Sequence, residues 1–268
     1  MRRVSFEGLE RLSDFEVDVR LIHSKSSNIS LVNLNEGESF EIEKSDFEVH
    51  VVVLSGEVEM ISGSIQDIFK AGCLASILPH QNVYINSLKI SRVLVIRDNP
   101  TWVMRARRSV RKFSSIPVSK DLILKVIDNA RLAPSGGNIQ PWKIYLTSDS
   151  EKKKLLSEFS FNQQHVNQAP WVLVITAIPE ESEKEYGLRG RELYSIQDTA
   201  NLALYIMLSA KAFGLDSCWV GEFDEEKVRK IINAPENERP VVIIPMGYGE
   251  ESPAAPERKP LNEILIEF

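Results

Sequence analysis

The hydrophobic positions of the first hundred residues follow a period of two. Runs such as ISLVNLNEGESFEIE, FEVHVVVLSGEVEM and CLASILPHQNVYINS alternate apolar or β-branched residues with polar ones, and Gly, Ser, Asn and Pro interrupt them. The segment LSGEVEMISGS has the spacing of a strand pair with glycine-marked turns. SRVLVIRD is the last predicted strand, because Asn99-Pro100 follows it. We therefore predict an all-β domain over residues 1–99.

From residue 100 onward the pattern changes to mixed helix and strand. The predicted strands are WKIYLT, WVLVITAI, SCWV and VVIIPMGYG, and the shorter predicted helices are SEKKKLLSEF and DEEKVRKII. Ser119 is the predicted N-cap of a helix whose apolar stripe is Leu122, Ile123, Val126, Ile127 and Ala130. A long helix over residues 191–213 ends at Gly214, and its predicted buried face is Ile196, Ala200, Leu204, Met207 and Ala210. The segment PEESEKEYGLRGRELYS is either a lid or a solvated surface.

Composition excludes several classes of protein. The chain has 268 residues, 43% of them hydrophobic and 26% charged, which is typical of a globular protein of two domains. A net charge of -6 disfavours nucleic acid and anionic membranes as partners. The two cysteines, Cys73 and Cys218, are too far apart for a CxxC metal or redox motif. There is no apolar run of membrane-spanning length and no apolar signal core in MRRVSFEGLERLSDFEV, so we expect a cytoplasmic protein.

A basic run, RARRSVRKF, opens the second domain. Such a run is often a solvated surface or a nucleic-acid patch. In extended backbone, however, Arg107, Ser109 and Arg111 would project to one side, and Arg108 and Val110 to the other. Two guanidinium groups with a hydroxyl between them suit a single phosphate. The run therefore predicts a site for a small anionic ligand.

A second unusual segment, PSGGNIQPW, follows the first helix of this domain. A helix C-cap and a turn would explain one glycine, but not two glycines together with two amide side chains. Gly136 and Gly137 would allow a flat ligand to approach the backbone closely. The amides of Asn138 and Gln140 would supply hydrogen bonds to its polar edge.

Four segments, in this order, resemble the nitroreductase-like family of FMN-dependent oxidoreductases. They are RRSVRKF, PSGGNIQPW, GLDSCWVGEF and PMGYGEESPAAPERKP, and the resemblance covers about residues 101–268. It implies an α+β fold with a mixed sheet wrapped by helices. It also implies a homodimer in which both chains build each FMN site. The implied activity passes hydride from NAD(P)H through flavin N5 to a quinone, a nitroaromatic or another small electrophilic acceptor.

The resemblance implies roles for individual residues. Those that would hold the FMN phosphate and ribityl chain are Arg107, Arg108, Ser109 and Arg258. Arg111 would lie beside flavin N1 and the C2 carbonyl, and Gly221 and Glu222 would present backbone amides to N5. The second chain would contribute Pro134, Ser135, Gly136, Asn138 and Gln140, and Asn162 would contact the pyrimidine ring. Pro256 stands where the family often has another basic residue, so Arg107 and Arg108 would carry more of the phosphate binding.

No side chain is required as an acid or a base. We interpret His165 as a surface or hydrogen-bonded histidine and Cys218 as a small buried residue. No GxGxxG follows a strand, so NAD(P)H would bind transiently over the flavin. Two other functions stay open. One is a flavin-containing redox or metabolite sensor, and the other is a specialised reductase or dehalogenase of the same family.

Residues from about 30 to 96 resemble a cupin. The segments that carry this resemblance are FEVHVVVLSGEVEM and AGCLASILPHQNVYINS. The positions at which cupins bind metal fall at Ile42, Lys44 and Tyr84, and only Glu48 could be a ligand. We therefore expect a small barrel without a metal ion, and we expect no metal site elsewhere.

Overall fold

The computed structural model describes residues 18–23, 27–99 and 101–268. The chain forms two compact units, Met1–Arg105 and Ala106–Phe268. The sequence places this boundary at residues 99/100, six residues earlier. Residues 1–17, where the sequence shows no signal core, lie outside the described part of the chain.

The described part of the first unit consists of antiparallel strands in two sheets. One sheet has the strand order β1-β2-β9-β4-β7 and the other has the order β3-β8-β5-β6. The strands are β1 (Asp18–His23), β2 (Ser27–Leu34), β3 (Ser39–Ile42), β4 (Val49–Ser55), β5 (Glu57–Ser62), β6 (Ile65–Lys70), β7 (Leu74–Ile77), β8 (Val83–Ser87) and β9 (Ser91–Asp98). The all-β prediction is therefore correct over these residues.

One apolar core lies between the two sheets. Its buried side chains alternate along each strand, as in Val49, Val51 and Val53 of β4 and Val83 and Ile85 of β8. The two sheets thus pack face to face. The cupin-like barrel itself stays a prediction.

The positions assigned to a lost metal site do not face one another. Ile42 is buried in the core between the sheets. Tyr84 lies on the opposite face of the neighbouring strand, where it is exposed, and Lys44 is exposed as well. Among the residues described, no three His, Cys, Asp or Glu side chains are grouped closely enough to bind a metal ion.

Gly56 is the link between the two sheets. The sequence predicts a strand pair around it, but β4 lies in one sheet and β5 in the other. The true hairpin joins β5 to β6 through Gly63. Gly56 has φ +83°, and a Cβ placed on it would lie 2.4 Å from the Ile90 carbonyl oxygen and 2.7 Å from the Ser91 Cα. Only glycine fits this link.

The second unit is an antiparallel sheet covered by helices on both faces. The sheet has the order β10-β11-β13-β12, formed by β10 (Trp142–Thr147), β11 (Trp171–Ala177), β12 (Asp216–Ser217) and β13 (Arg239–Gly247). The helices are α1 (Trp102–Ala106), which spans the boundary between the units, α2 (Lys120–Ala130), α3 (Ser150–Glu158), α4 (Gln164–Gln168), α5 (Pro179–Arg189), α6 (Ser195–Ala212), α7 (Glu225–Ile231) and α8 (Leu261–Ile264). Ser109 bridges Ser217 in the parallel direction, which makes the sheet mixed at its edge.

The two central strands separate two apolar cores. On β11, Leu173 and Ile175 pack with α2 and α6, whereas Val172 and Val174 pack with α3, α4 and α7. The same alternation places Ile243 of β13 on the second face. Both faces are apolar because both are covered by helices.

The helix that precedes PSGGNIQPW forms as its stripe predicts. The Ser119 hydroxyl accepts the Leu122 amide at the N-terminus of α2. Ile123, Val126 and Ala130 are fully buried against the sheet. The end of this helix is thereby fixed on the sheet, and the loop that follows begins from a rigid position.

The long helix starts later and buries a different face from the one predicted. A π-helical turn at Gly190–Tyr194 precedes α6. The buried apolar face of α6 is Leu202, Ala203, Ile206, Met207 and Ala210. Leu204 is 46% exposed, and Ile196 and Ala200 are only half-buried, so the predicted stripe is correct only at Met207 and Ala210. The error arises because this helix carries apolar residues on more than one face.

The lid-like segment is mostly helical. Pro179 occupies the first turn of α5, and Glu180 and Glu181 follow it. Gly190 is pressed against the Ser182 carbonyl, because a Cβ on it would lie 2.1 Å from that oxygen. This close contact joins α5 to the turn before α6.

We predict that Gly56→Ala destabilises the first unit far more than Gly37→Ala does. Both glycines have φ +83°, so both variants carry the strain of a left-handed backbone, about 1–2 kcal/mol. A Cβ on Gly37 meets nothing within 4 Å, whereas one on Gly56 collides with backbone atoms, which adds roughly 1–3 kcal/mol. Calorimetry of the full chain should show a clearly lower Tm for Gly56→Ala. Equal Tm values for the two variants would contradict the steric argument.

Candidate functional site

The basic run is held at the edge of the sheet by backbone hydrogen bonds. The Val110 amide donates to the Ser217 carbonyl at 3.1 Å, beside the bridge between Ser109 and Ser217. Farther along, the Ser114 amide donates to the Tyr248 carbonyl at 2.7 Å. The basic run is thereby fixed against two segments of the chain that are far from it in sequence, one at Ser217 and one at Tyr248.

The predicted alternation of side chains does not continue through this run, because Phe113 shares the buried side with Val110. Val110 and Phe113 are buried in the core on the α3, α4 and α7 face. Ser109 is half-buried and Arg111 is exposed, so these two point away from that core. The burial of Val110 and Phe113 therefore decides which polar side chains of the run can contact a ligand.

The polar residues of the run meet at the Cys218 thiol. Burial raises the pKa of this thiol, while the charges of Arg111 and Arg107 and the hydroxyl of Ser109 act to lower it. Three of the four residues of the basic run that are predicted to contact the phosphate or the flavin edge thus lie around this thiol. The fourth, Arg108, is half-buried and turns one Nη back to the Arg107 carbonyl at 2.7 Å.

His165 of α4 belongs to the same cluster. Its side chain is only 7% exposed, and its Nε2 is buried without a hydrogen-bond partner among the described residues. Burial and the positive charge of Arg111 lower the pKa of His165, and Glu251 opposes them. The Arg111 amide in turn donates to a Glu251 carboxylate oxygen. His165 is therefore not a surface histidine, and its Nε2 has no hydrogen bond among the described residues.

An unpaired buried nitrogen is costly. Leaving such a group without a partner costs about 1–3 kcal/mol. The polar groups around it are cationic or neutral donors, apart from Glu251. The cluster as it stands therefore fits a bound anion whose edge offers hydrogen-bond acceptors and donors.

Asn162 and the Gly221–Glu222 pair also lie side by side. The Gln163 amide side chain donates to the Glu222 carbonyl at 3.3 Å, and the Asp224 amide donates to the Phe159 carbonyl at 2.9 Å. Asn162 adopts a left-handed backbone with φ +60°, and it is exposed. Gly221 and Glu222 are exposed as well. The structure thus brings these three predicted residues to one surface.

The PSGGNIQPW loop is held mainly by its own groups. The Ser135 hydroxyl accepts the Gln140 amide at 3.0 Å, and the Gln140 side chain donates to the Asn138 carbonyl at 3.1 Å. Gly137, Asn138 and Gln140 all have a positive φ. Pro134 is exposed at the start of the loop. The serine and the amides therefore shape the loop, in addition to any contact with a ligand.

Asp198 fixes this loop and was missed by the sequence analysis. Its carboxylate accepts the Gly136 amide, with N–O distances of 3.1 and 3.2 Å to its two oxygens. Burial raises the pKa of Asp198, and the Gly136 hydrogen bond partly offsets this. An acidic residue four positions before Leu202, on the buried face of α6, is the signal that could have revealed it.

Tyr186 of α5 covers Gly137. A Cβ on Gly137 would lie 2.6 Å from the Tyr186 hydroxyl. The Tyr186 ring packs edge-on against Tyr194 at 5.2 Å between ring centroids. The absence of a side chain at Gly137 is therefore already required by a contact within the chain.

Arg258 lies apart from the hydrogen-bonded segments. It is exposed, as are all residues of the tail 254–268. This tail carries Leu261, Ile264, Leu265, Ile266 and Phe268, each more than half exposed. No helix of the described residues is long and apolar enough to cross a membrane.

Comparison with known proteins identifies a family and several similar proteins. A sequence profile of the nitroreductase family matches residues 104–248. An "NADH dehydrogenase" of Thermus thermophilus is 29% identical over 200 residues, which is 65% of this chain and 97% of that protein. A "Putative NADH dehydrogenase/NAD(P)H nitroreductase" of Archaeoglobus fulgidus is 33% identical over 150 residues, which is 54% of this chain and 82% of that protein.

Solved structures show the same fold. A putative nitroreductase from Exiguobacterium sibiricum, crystallised in complex with FMN, has a TM-score of 0.56 to this chain. It is 21% identical, and the alignment covers 63% of this chain and 97% of that protein. At this identity the similarity establishes the fold of the second unit.

Proposed function

The chain belongs to the nitroreductase family of oxidoreductases, and from that premise we propose that it holds FMN and passes hydride from NADH or NADPH to a quinone, a nitroaromatic or another small electrophilic acceptor. The observation that carries this proposal is the cluster of Arg107, Ser109 and Arg111 beside the unpaired nitrogen of His165. The similar proteins, whose names include NADH dehydrogenase and NAD(P)H nitroreductase, support it.

The residues of this cluster fit FMN. Arg107 and Ser109, with Arg108, offer guanidinium and hydroxyl donors to one phosphate. Arg111 would place a permanent positive charge beside flavin N1 and the C2 carbonyl. Permanently charged arginines around the buried Nε2 of His165 suit a ligand with one phosphate and a polar ring edge. The sequence has no pyrophosphate-binding fingerprint, which FAD would require.

The chain's own residues would bind and orient the reactants. When bound, FMN supplies the chemistry, because its N5 accepts a hydride that no side chain could hold. The backbone of Gly221 and Glu222 would position that edge, with Asn162 at the pyrimidine side. Arg111 would stabilise the negative charge that reduction leaves on the ring.

We propose that the second chain of a homodimer completes each site. Pro134, Ser135, Gly136, Asn138 and Gln140 would come from that chain, and Arg258 of the tail would close on the phosphate. The exposed apolar tail supports this arrangement, since five large apolar side chains at the end of the chain are otherwise left in water. The exposed side chains of Leu204 and Tyr205 on α6 offer a surface of the same kind.

We predict that the purified protein is yellow and contains FMN. NADH or NADPH should bleach its flavin absorption under anaerobic conditions, and a quinone or nitroaromatic should restore it. Release of the flavin followed by chromatography identifies the cofactor. FAD, or a protein without flavin, would contradict the assignment. Bound FMN that neither nucleotide reduces would favour the sensor function.

Arg111→Gln should keep FMN but slow its reduction by NAD(P)H on the order of 10²-fold, because a charge against the reduced ring is lost while the phosphate contacts remain. Lys112→Gln is the matched control, since Lys112 is an exposed neighbouring cation without a proposed contact to FMN. Stopped-flow absorbance measures both rates. Similar rates for both variants would show that Arg111 has another role.

We expect a stable dimer in which Ile266 is buried. Interfaces of obligate dimers bury more than about 2,000 Å² and are apolar, so Ile266→Glu should weaken dimerisation and FMN retention together. Ile90→Glu, on an exposed loop of the first unit, is the control. Sedimentation of the holoenzyme distinguishes them. A flavin-loaded monomer of the unmodified protein would overturn the shared site.

A further inference from the structure

His165 is a titratable group in a place where the proposed chemistry needs only binding and orientation. Its ring is close enough to Arg111 for the charge of that residue to act on it. Its Nε2 is buried without a hydrogen-bond partner among the residues described. The α4 helix that carries it is short, and it follows directly on the Asn162 segment. The ring is therefore close to the proposed site, and its Nε2 receives no hydrogen bond from the described part of the chain.

The charges that face His165 come from few elements. Arg111 of the basic run disfavours the imidazolium, and Glu251 at the start of the tail favours it. The α3 helix packs against α4, and its Lys153 is turned to the Ala169 carbonyl at 2.8 Å. The β13 strand, which also packs against α4, has Arg239 as its charged residue, and that side chain is paired with Glu225. Arg111 and Glu251 thus set the charge of His165.

The surroundings that the chain itself provides favour the neutral imidazole of His165. Burial and the Arg111 charge both hold the pKa of His165 below its usual value of 6.5, and Glu251 compensates only in part. A negative charge added at the same edge would act in the direction of Glu251 and raise this pKa.

We propose that His165 binds the proton that accompanies reduction of FMN: it is neutral beside the oxidised cofactor and takes up a proton from water when hydride transfer leaves negative charge beside Arg111. This inference rests on the proposed function. His165 would then change its charge with the redox state of FMN, whereas the neighbouring Arg111 would keep its charge.

The step is balanced as follows. Hydride from NAD(P)H delivers two electrons and one proton to the cofactor, whose ring gains one negative charge. An N–H bond forms at Nε2 of His165 as an O–H bond of a water-borne proton breaks. When hydride leaves for a quinone, His165 gives this proton to the resulting oxyanion or back to water, and the ring is neutral again.

The test is the pH dependence of the FMN midpoint potential in the holoenzyme, followed by absorbance from about pH 5 to 8. Over part of this range the unmodified protein should take up two protons for two electrons. His165→Gln keeps an amide donor but cannot ionise, so it should take up one. His80→Asn is the control: it removes an exposed histidine at a left-handed position that asparagine tolerates, and it should match the unmodified protein.

A second measurement guards against a variant that loses FMN or fails to fold. NMR of the histidine rings in the unmodified holoenzyme should show a higher pKa for His165 after reduction than before. Equal proton counts in His165→Gln and the unmodified protein, or an unchanged ring pKa, would overturn the inference while leaving an FMN enzyme. A protein without FMN, or one whose FMN is not reduced, would instead overturn the proposed function.

Discussion

The pairing of the basic run with β12 and with the residue that follows β13 is the constraint on which the site depends. The hydrogen bonds from Val110 to Ser217 and from Ser114 to Tyr248 leave little freedom to the residues between them. Because Val110 and Phe113 must be buried, the polar side chains must face the other way. The position of Arg111 is thus decided by the apolar packing of its neighbours Val110 and Phe113. A ligand site built in this way is preorganised before the ligand arrives.

The PSGGNIQPW loop, which the proposed site receives from the second chain, depends on the buried carboxyl group of Asp198. Asp198 lies on the apolar face of α6, where desolvation works against its charged form. In return its carboxylate holds the Gly136 amide, and through it a loop with three left-handed residues. Such a loop would otherwise be free to choose among several backbone conformations. The free-energy cost of desolvating Asp198 is thus offset by a hydrogen bond that fixes the loop. This loop lies where we propose that a second chain docks.

The sequence predicts what depends on local pattern and fails where distant packing decides. The stripe of α2, its Ser119 cap and the alternating strands of the first unit follow from periodicity and capping, which act within a few residues. The prediction of the buried face of α6 is wrong, because the sequence of a helix that is apolar on several sides does not show which side meets the sheet. The candidate site was predicted through Arg107, Ser109 and Arg111. Neither the burial of His165 nor the Gly136–Asp198 bond has a local signal strong enough to find it.

Arg111 and His165 divide the electrostatics of the site in a way that neither could achieve alone. A guanidinium remains charged at every relevant pH, so the charge of Arg111 would stay the same when the proposed ligand gains or loses a proton. That same charge favours the neutral form of the neighbouring imidazole, because a second positive charge beside Arg111 would be repelled. Glu251, which accepts the Arg111 amide, opposes the effect of the Arg111 charge on the pKa of His165 and favours the protonated imidazole. A fixed charge, a titratable ring and a carboxylate together provide a site whose net charge can increase by one when its ligand becomes more negative.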